Sequence, residues 1–310
     1  MKNRVPTSAA GRSFIQEIVY NRPYYLMVIP GVVLLFIFNY VAYYGLVMAF
    51  QDFNPGLGFT RSPWIGLENY RFLLSLRDLE RVARNTIIIS VGKIVFRQLV
   101  AIAFAVLLNE LRHVFVKRTI QTVSYLPHFL SWVILGGVFI TMLSRVGLVN
   151  RALGVIGIDP IYFLGSNAWF RPTIIATDVW QDFGFASIVY LAALTSIDPG
   201  LYESAVIDGA GRLKQIWYIT IPGITTTIFL LAVLSLGQIL EAGFEQVLVL
   251  YNPAVYETGD IIDTWIYRYG LQQARYSLAT AVGLVKSVVG TTLVFASNYA
   301  AKRFANYQVF

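Results

Sequence analysis

The chain has 310 residues, of which 56% are hydrophobic and only 13% are charged, whereas soluble domains carry about 25% charged residues. This composition indicates an integral membrane protein. The absence of cysteine excludes disulfide bonds and thiolate catalysis. The net charge of +7 comes from basic residues scattered along the chain, a distribution that favours contact with a membrane surface over nucleic-acid binding.

Apolar segments that are long enough to cross a bilayer, which takes about 20 residues each, recur along the chain. They predict an all-α polytopic membrane protein with six transmembrane helices. No linker is long or polar enough for a second soluble domain, so we expect an N-terminal segment at residues 1–23 and one transmembrane domain at 24–310. The predicted spans are 24–50, 85–110, 119–143, 173–197, 223–250 and 277–302.

Several charged residues fall inside these spans, where a charge that faces lipid is strongly unfavourable. Most of them form pairs with i, i+4 spacing, so each pair is expected to share one helix face. The pairs are Lys93 with Arg97, Asp178 with Asp182, and Glu241 with Glu245, and Lys286 stands alone.

Two interpretations of these charges remain open. They form a buried ion-pair network that fixes the helix packing, or they line a polar pathway that hydrogen-bonds a hydroxyl-rich solute. Gly237 and Gly243 favour a pathway near Glu241 and Glu245, because an irregular helix at this depth is tolerated only beside protein or a cavity. The candidate pathway residues are Glu241, Glu245, Gln246, Asp182, Lys93 and Lys286.

The remaining residue types exclude some chemistry. The two histidines, His113 and His128, are too far apart in sequence to suggest a metal site, and we expect a structural role for His128 early in the third span. The chain also lacks the pattern of Gly, four residues and Gly-Lys-Ser/Thr that binds nucleotide phosphates. If this protein drives transport with ATP, the ATPase must therefore be another polypeptide.

The polar loop 198–222 between the fourth and fifth spans has internal order. Asp198 and Pro199 predict a helix start. Apolar residues then recur at helical spacing, and Gly209 and Gly211 predict a bend between two short helices. An amphipathic helix pair on a membrane face predicts a docking surface. Its apolar stripe comprises Tyr202, Ala205, Val206, Gly209, Leu213, Ile216 and Trp217.

The spacing of Glu203, Ser204, Ala205, Gly209, Ile219, Ile221 and Pro222 resembles the EAA loop of the membrane subunits of bacterial ABC importers. Ser204 and Ile221 depart from that motif by conservative replacements. The resemblance implies that the loop forms a coupling helix in a cleft of an ATPase subunit. The residues implied in this contact are Glu203, Ser204, Ala205, Asp208, Gly209, Ala210, Ile219 and Pro222.

The segment 64–70 resembles one found in sugar-importer permeases, and five further segments resemble the polysaccharide-type branch of that family. This resemblance implies a MetI-like helical core, oligosaccharide cargo and three kinds of partner: a second homologous permease, a pair of ATP-binding subunits and an extracytoplasmic solute-binding protein. It implies no cofactor on this chain, with ATP and Mg²⁺ held by the ATPase. The segments are 64–70, 125–129, 190–194, 244–246, 252–256 and 260–269.

Lys and Arg are almost evenly divided between the two sides of the six-span arrangement, so the positive-inside rule decides little. The lysines outside the spans all fall on the N-terminal side. Together with the EAA resemblance, they place both termini and the loop 198–222 in the cytoplasm of a bacterial cell.

Three alternatives to an oligosaccharide importer follow from the same residues. The importer could carry a peptide or another polar solute. An ion-coupled secondary transporter would use the intramembrane carboxylates to carry protons. A membrane-embedded enzyme is the weakest alternative, because no nucleophile or metal-binding cluster accompanies those carboxylates.

Overall fold

The computed structural model describes residues 20–305, so most of the predicted segment 1–23 lies outside the described residues. The described chain is helical apart from loops and one isolated antiparallel bridge between Gln51 and Trp64. In chain order the helices are α1 (Arg22–Phe50, with π and 3-10 turns in its second half), α2 (Gly58–Arg61), α3 (Glu68–Ser75), α4 (Arg77–Asn109), α5 (Val114–Tyr125), α6 (Trp132–Met142), α7 (Leu148–Val155), α8 (Asn167–Leu194), α9 (Pro199–Ile207), α10 (Arg212–Gln215), α11 (Ile221–Gly223), α12 (Thr225–Leu236), α13 (Phe244–Leu250), α14 (Tyr256–Gly259), α15 (Ile262–Tyr267) and α16 (Tyr276–Ala305).

Three of these helices, α1, α4 and α16, are each long and apolar enough to cross a membrane. Three bent pairs raise the number of spans to as many as six: α5 with α6, α8 with α9, and the 212–223 segment with α12. The prediction of an all-α polytopic protein is confirmed, although several spans are not the straight helices that the apolar runs suggested.

The predicted third span, 119–143, is broken. A 3-10 turn at Leu126–Phe129 ends α5, and α6 leaves at an angle of 103° to it. Pro127 sits in this turn and cannot donate the backbone hydrogen bond that a continuing helix needs. The Ser131 hydroxyl then accepts a bond of 3.4 Å from the N–H of Ile134 and caps the new helix.

The predicted fifth span, 223–250, is also broken. Helix α12 ends at Leu236 and α13 begins at Phe244, with a non-helical segment between them. Gly243 has a φ of 82°, which lies in the left-handed region that only glycine adopts readily. The irregularity expected at this glycine is confirmed, but the prediction that Glu241 and Glu245 share one helix face is wrong.

Helix α4 is the centre of the packing, because it contributes to all three buried apolar clusters. Val82 packs near Trp265, Ile89 lies among residues of α8 and α13, and Ala101 lies beside α8 near the start of α12. Helix α5 also packs closely on α8, since a Cβ at Gly184 would come within 2.2 Å of a carbonyl oxygen of α5. Small residues at such crossings allow helix backbones in membranes to approach each other.

Polar side chains attach the segment after α13 to the first half of α4. Asp260 is fully buried and accepts hydrogen bonds of 3.1 and 2.5 Å from the Arg268 guanidinium. The Asn85 amide of α4 donates to the backbone carbonyls of Glu257 and Asp260 at 3.1 and 3.0 Å. These bonds fix the position of α14 and α15 against α4.

Candidate functional site

Charged groups from α4, α8 and the broken third span form one continuous chain of contacts. Lys93 Nζ lies 3.1 Å from one carboxylate oxygen of Asp178, and the Arg97 guanidinium lies 3.0 Å from the other. Arg97 also bonds Asp182 at 2.8 Å, and His128 Nδ1 lies 2.7 Å from the second oxygen of Asp182. The prediction that each i, i+4 pair on α4 and α8 shares a helix face is confirmed.

Lys93 extends this chain of contacts to the fifth span. Its ammonium group donates to the carbonyl oxygen of Ala242 at 2.7 Å and to the side-chain oxygen of Gln246. With the contact to α8, all three ammonium hydrogens have acceptors. The Gln246 amide donates in turn to the Ile174 carbonyl and the Thr177 hydroxyl, both at 2.8 Å.

Two of the candidate pathway residues are therefore inside the protein. Lys93 is 2% exposed and Gln246 is fully buried. Their polar groups are satisfied by other parts of the chain, so in this structure they serve packing rather than contact with a solute. For these two residues the geometry agrees with the network interpretation.

His128 attaches the bend of the third span to α8. Its ring stacks on Phe185 with the centroids 3.9 Å apart and the planes within 3°, in addition to its bond to Asp182. The stacking and the bond together hold the 3-10 turn that contains His128 in one orientation. This geometry agrees with the structural role expected for His128.

A polar cavity of about 210 Å³ lies between α4, α8, α12 and the break in the fifth span. Glu241 is exposed at this cavity and has no ion-pair partner among residues 20–305. Two buried polar atoms at the cavity, the Ser90 hydroxyl and the Arg97 Nε, also lack a hydrogen-bond partner within the described chain. The polar lining comprises Ser90, Lys93, Arg97, Gln98, Asp182, Tyr190, Ser235, Gln238 and Glu241.

The other two pathway candidates lie apart from this cavity. Glu245 is exposed on the first turn of α13. Lys286 bonds Asp263 of α15 at 2.5 Å, so it belongs to a second polar site. Asp263 and Tyr267 line a larger cavity of about 710 Å³ between α15 and α16. Sequence reasoning missed Asp263 because it falls in a loop outside the predicted spans.

The loop 198–222 has the structure that its sequence predicts. The Asp198 carboxylate accepts a 2.9 Å bond from the N–H of Gly200 and begins α9. Gly209 has a φ of 73° and turns the chain towards α10. The Tyr202 hydroxyl then bonds the Thr220 hydroxyl at 3.0 Å and joins the two ends of the loop.

Much of the apolar stripe on this loop is uncovered in the single chain. Val206, Leu213 and Trp217 are 62%, 74% and 66% exposed. Of the residues implied in coupling, Glu203, Ser204, Asp208, Gly209 and Pro222 are exposed, and Ala205, Ala210 and Ile219 are half-buried. Exposed apolar residues gathered on one loop are typical of an interface with another protein.

Among the described residues, no group of three or more His, Cys, Asp or Glu side chains could hold a metal ion. Of the intramembrane carboxylates, Asp178 and Asp182 contact basic side chains, Glu241 faces a cavity, and Glu245 is exposed. The arrangement can hold helices together and offer hydrogen bonds to a polar solute.

A family model described as "Binding-protein-dependent transport system inner membrane component" matches residues 98–306. Protein LplB of Bacillus subtilis (strain 168) is 39% identical over 97% of this chain and 95% of its own length. The polygalacturonan/rhamnogalacturonan transport system permease protein YteP of the same organism is also 39% identical, over 95% of this chain and 92% of its own.

Two solved structures resemble the whole fold. A chain of a bacterial ABC transporter involved in the import of the acidic polysaccharide alginate is 42% identical, with a TM-score of 0.83 over 94% of this chain and 98% of that chain. A chain of the bacterial alginate ABC transporter in complex with an alginate pentasaccharide-bound periplasmic protein is 40% identical, with a TM-score of 0.84 over 96% and 100%.

Proposed function

Because the chain belongs to the inner membrane components of binding-protein-dependent transport systems, we propose that it is the permease subunit of an ATP-driven importer of oligosaccharides. The chain is then a transport subunit and not an enzyme. Relatives named for polygalacturonan, rhamnogalacturonan and alginate support a polysaccharide-derived cargo, including sugars that contain uronate. A peptide or another polar solute is the alternative cargo.

The observation that carries the proposed coupling is the uncovered stripe on the loop 198–222. Its Val206, Leu213 and Trp217 remain largely exposed and enter no apolar core among residues 20–305. A cleft in an ATP-binding subunit would cover them. Two such subunits, which hold the ATP and Mg²⁺, would then pull on the loop when they close. This assignment places the loop and both termini in the cytoplasm.

The other two proposed partners are a second permease and a solute-binding protein. One permease supplies only one wall of a pathway, and its exposed Glu241 and Glu245 need shielding from lipid. A second homologous permease would provide the facing wall. A solute-binding protein would deliver the sugar from outside, as the complex of the similar alginate transporter with a periplasmic protein supports.

A thiol-to-amine cross-linker tests the coupling surface, because the chain has no cysteine of its own. Val206→Cys on α9 should cross-link to the ATP-binding subunit in membranes that contain the whole complex. Val155→Cys on α7 is the control: it is 86% exposed and faces the other side of the membrane in the proposed orientation. Equal cross-linking of the ATPase at both positions would contradict the proposed docking surface.

An uptake assay in vesicles tests the cargo. The complete complex should accumulate a neutral or uronate-containing oligosaccharide in the presence of ATP and the binding protein. A peptide of similar size should not be accumulated. Uptake of the peptide without uptake of the oligosaccharide would refute the carbohydrate cargo but leave the assignment as an importer intact.

A further inference from the structure

A residue of another helix stabilises the break in the fifth span. Between α12 and α13 the backbone leaves the helix, and Ala242 is fully buried while Glu241 next to it is exposed. A buried carbonyl without an intrahelical partner needs a donor from elsewhere. The Ala242 carbonyl receives that donor from Lys93 of α4, at 2.7 Å.

The ammonium group of Lys93 also occupies the space beside Gly243. A Cβ at residue 243 would lie 2.6 Å from Lys93 Nζ, closer than non-bonded atoms approach. The φ of 82° at Gly243 independently requires glycine. Thus the backbone conformation and the lysine fit each other, and neither would tolerate an ordinary residue at position 243.

The position of Lys93 is itself fixed from two further helices. Gln246 of α13 accepts from the ammonium through its side-chain oxygen, while its amide group bonds Ile174 and Thr177 of α8. Asp178 of α8 neutralises the charge at 3.1 Å. With every donor satisfied, the lysine side chain has one favourable position, and that position determines where the Ala242 carbonyl points.

We propose that Lys93 is a positioning residue of the transport pathway: it holds the break in the fifth span open and thereby presents Glu241 to the polar cavity. Gln246 orients Lys93. The inference rests on the proposed function of Glu241 in the pathway. It assigns to these two residues an indirect effect on the solute, since their polar groups are already bonded to other parts of the chain.

The geometry of a regular helix explains why the loss of Lys93 would move Glu241. Without Lys93, the Ala242 carbonyl would lose its donor and could regain one only if the segment rewound, so that the N–H of residue 246 bonds it as in an ordinary helix. Rewinding would rotate Glu241 away from its present direction. This rotation of Glu241 can occur in a transporter that still assembles in normal amounts.

Thiol accessibility measures this rotation directly, because Glu241→Cys creates the only cysteine of the chain. In membranes with the whole complex, a charged, water-soluble methanethiosulfonate should label this cysteine. Lys93→Met should slow the labelling by about tenfold or more, since an unsatisfied buried carbonyl strongly disfavours the open break. Lys286→Met is the matched control, as it removes an intramembrane lysine that bonds Asp263 and not the break.

Gly243→Ala is the second variant, in case Lys93→Met does not assemble. It keeps every charge but places a methyl group 2.6 Å from the ammonium nitrogen, at a φ that alanine rarely adopts, so it should slow the labelling similarly. With Glu241 present, both variants should raise the apparent KM for the sugar per assembled complex. A purely structural role would lower the amount of complex and leave KM unchanged.

Slow labelling in Lys93→Met and Gly243→Ala, with normal labelling in Lys286→Met, supports the proposal. Normal labelling in the first two variants overturns the positioning role and leaves the pathway assignment of Glu241 intact. If the cysteine at position 241 is not labelled even with Lys93 present, the pathway assignment fails and the positioning role fails with it.

Discussion

Replacing Arg97 by leucine should destabilise the assembled protein, because this guanidinium bridges two carboxylates. It bonds Asp178 at 3.0 Å and Asp182 at 2.8 Å, and the two carboxylates are only 13% and 20% exposed. Removing one partner of a buried ion pair raises the free energy of the folded state by about 3–5 kcal/mol. Asp178 still contacts Lys93 and Asp182 still contacts His128 in this variant, and Arg97 is 32% exposed. We therefore expect a loss of stability somewhat below that range, of about 2–3 kcal/mol.

A thermal unfolding series on the detergent-solubilised complex measures this loss. The midpoint of Arg97→Leu should fall by about 3–5 °C, since an unfolding entropy of about 2 cal/mol/K per residue makes 1 kcal/mol correspond to about 1.5 °C in a chain of 310 residues. Arg61→Leu is the control, because Arg61 lies exposed at the end of α2. A midpoint for Arg97→Leu equal to that of the control would refute the claim that the charge network holds the spans together.

Three further changes test the candidate residues. Glu241→Gln should lower uptake per complex without the stability loss of Arg97→Leu, because Glu241 is exposed at the cavity; an equal loss of stability would favour the network interpretation. Gly209→Pro should abolish co-purification of the ATPase, because proline holds φ near −65° and residue 209 needs a φ of 73°. Gly211→Ala is the control and should leave co-purification unchanged, because residue 211 has a φ of −68° and open space around the new Cβ. Glu203→Lys reverses a charge on the proposed docking face and should abolish ATP-dependent uptake while the subunit still inserts; normal uptake would refute the role of Glu203.

Local signals in the sequence predicted the loop 198–222 well. Asp198 and Pro199 determine where α9 begins, and Gly209 determines where the chain turns, because each acts on backbone within a few residues of itself. The pairs on α4 and α8 were equally predictable, since helical periodicity alone places residues four positions apart on one face.

The breaks in the third and fifth spans were harder to predict, because an apolar run looks the same whether its helix is straight or bent. Pro127 and Gly243 were visible in the sequence, but the partners that stabilise each break come from distant segments. His128 bonds Asp182, which lies 54 positions further along the chain, and Lys93 bonds Gln246, which lies 153 positions further along. Only the packing of the third-span bend on α8 brings the first two groups together, and only the packing of α4 against α13 brings the second two together.

Reconstitution in proteoliposomes tests the central claim that this chain is one subunit of an ATP-driven sugar importer. The chain alone should transport nothing, with or without ATP, because it offers one wall of a pathway and leaves the stripe on the loop 198–222 uncovered. Adding a second permease, the ATP-binding subunits and a solute-binding protein should give ATP-dependent uptake of an oligosaccharide. Uptake by the chain alone, driven by a proton or sodium gradient, would contradict the account and favour a secondary transporter.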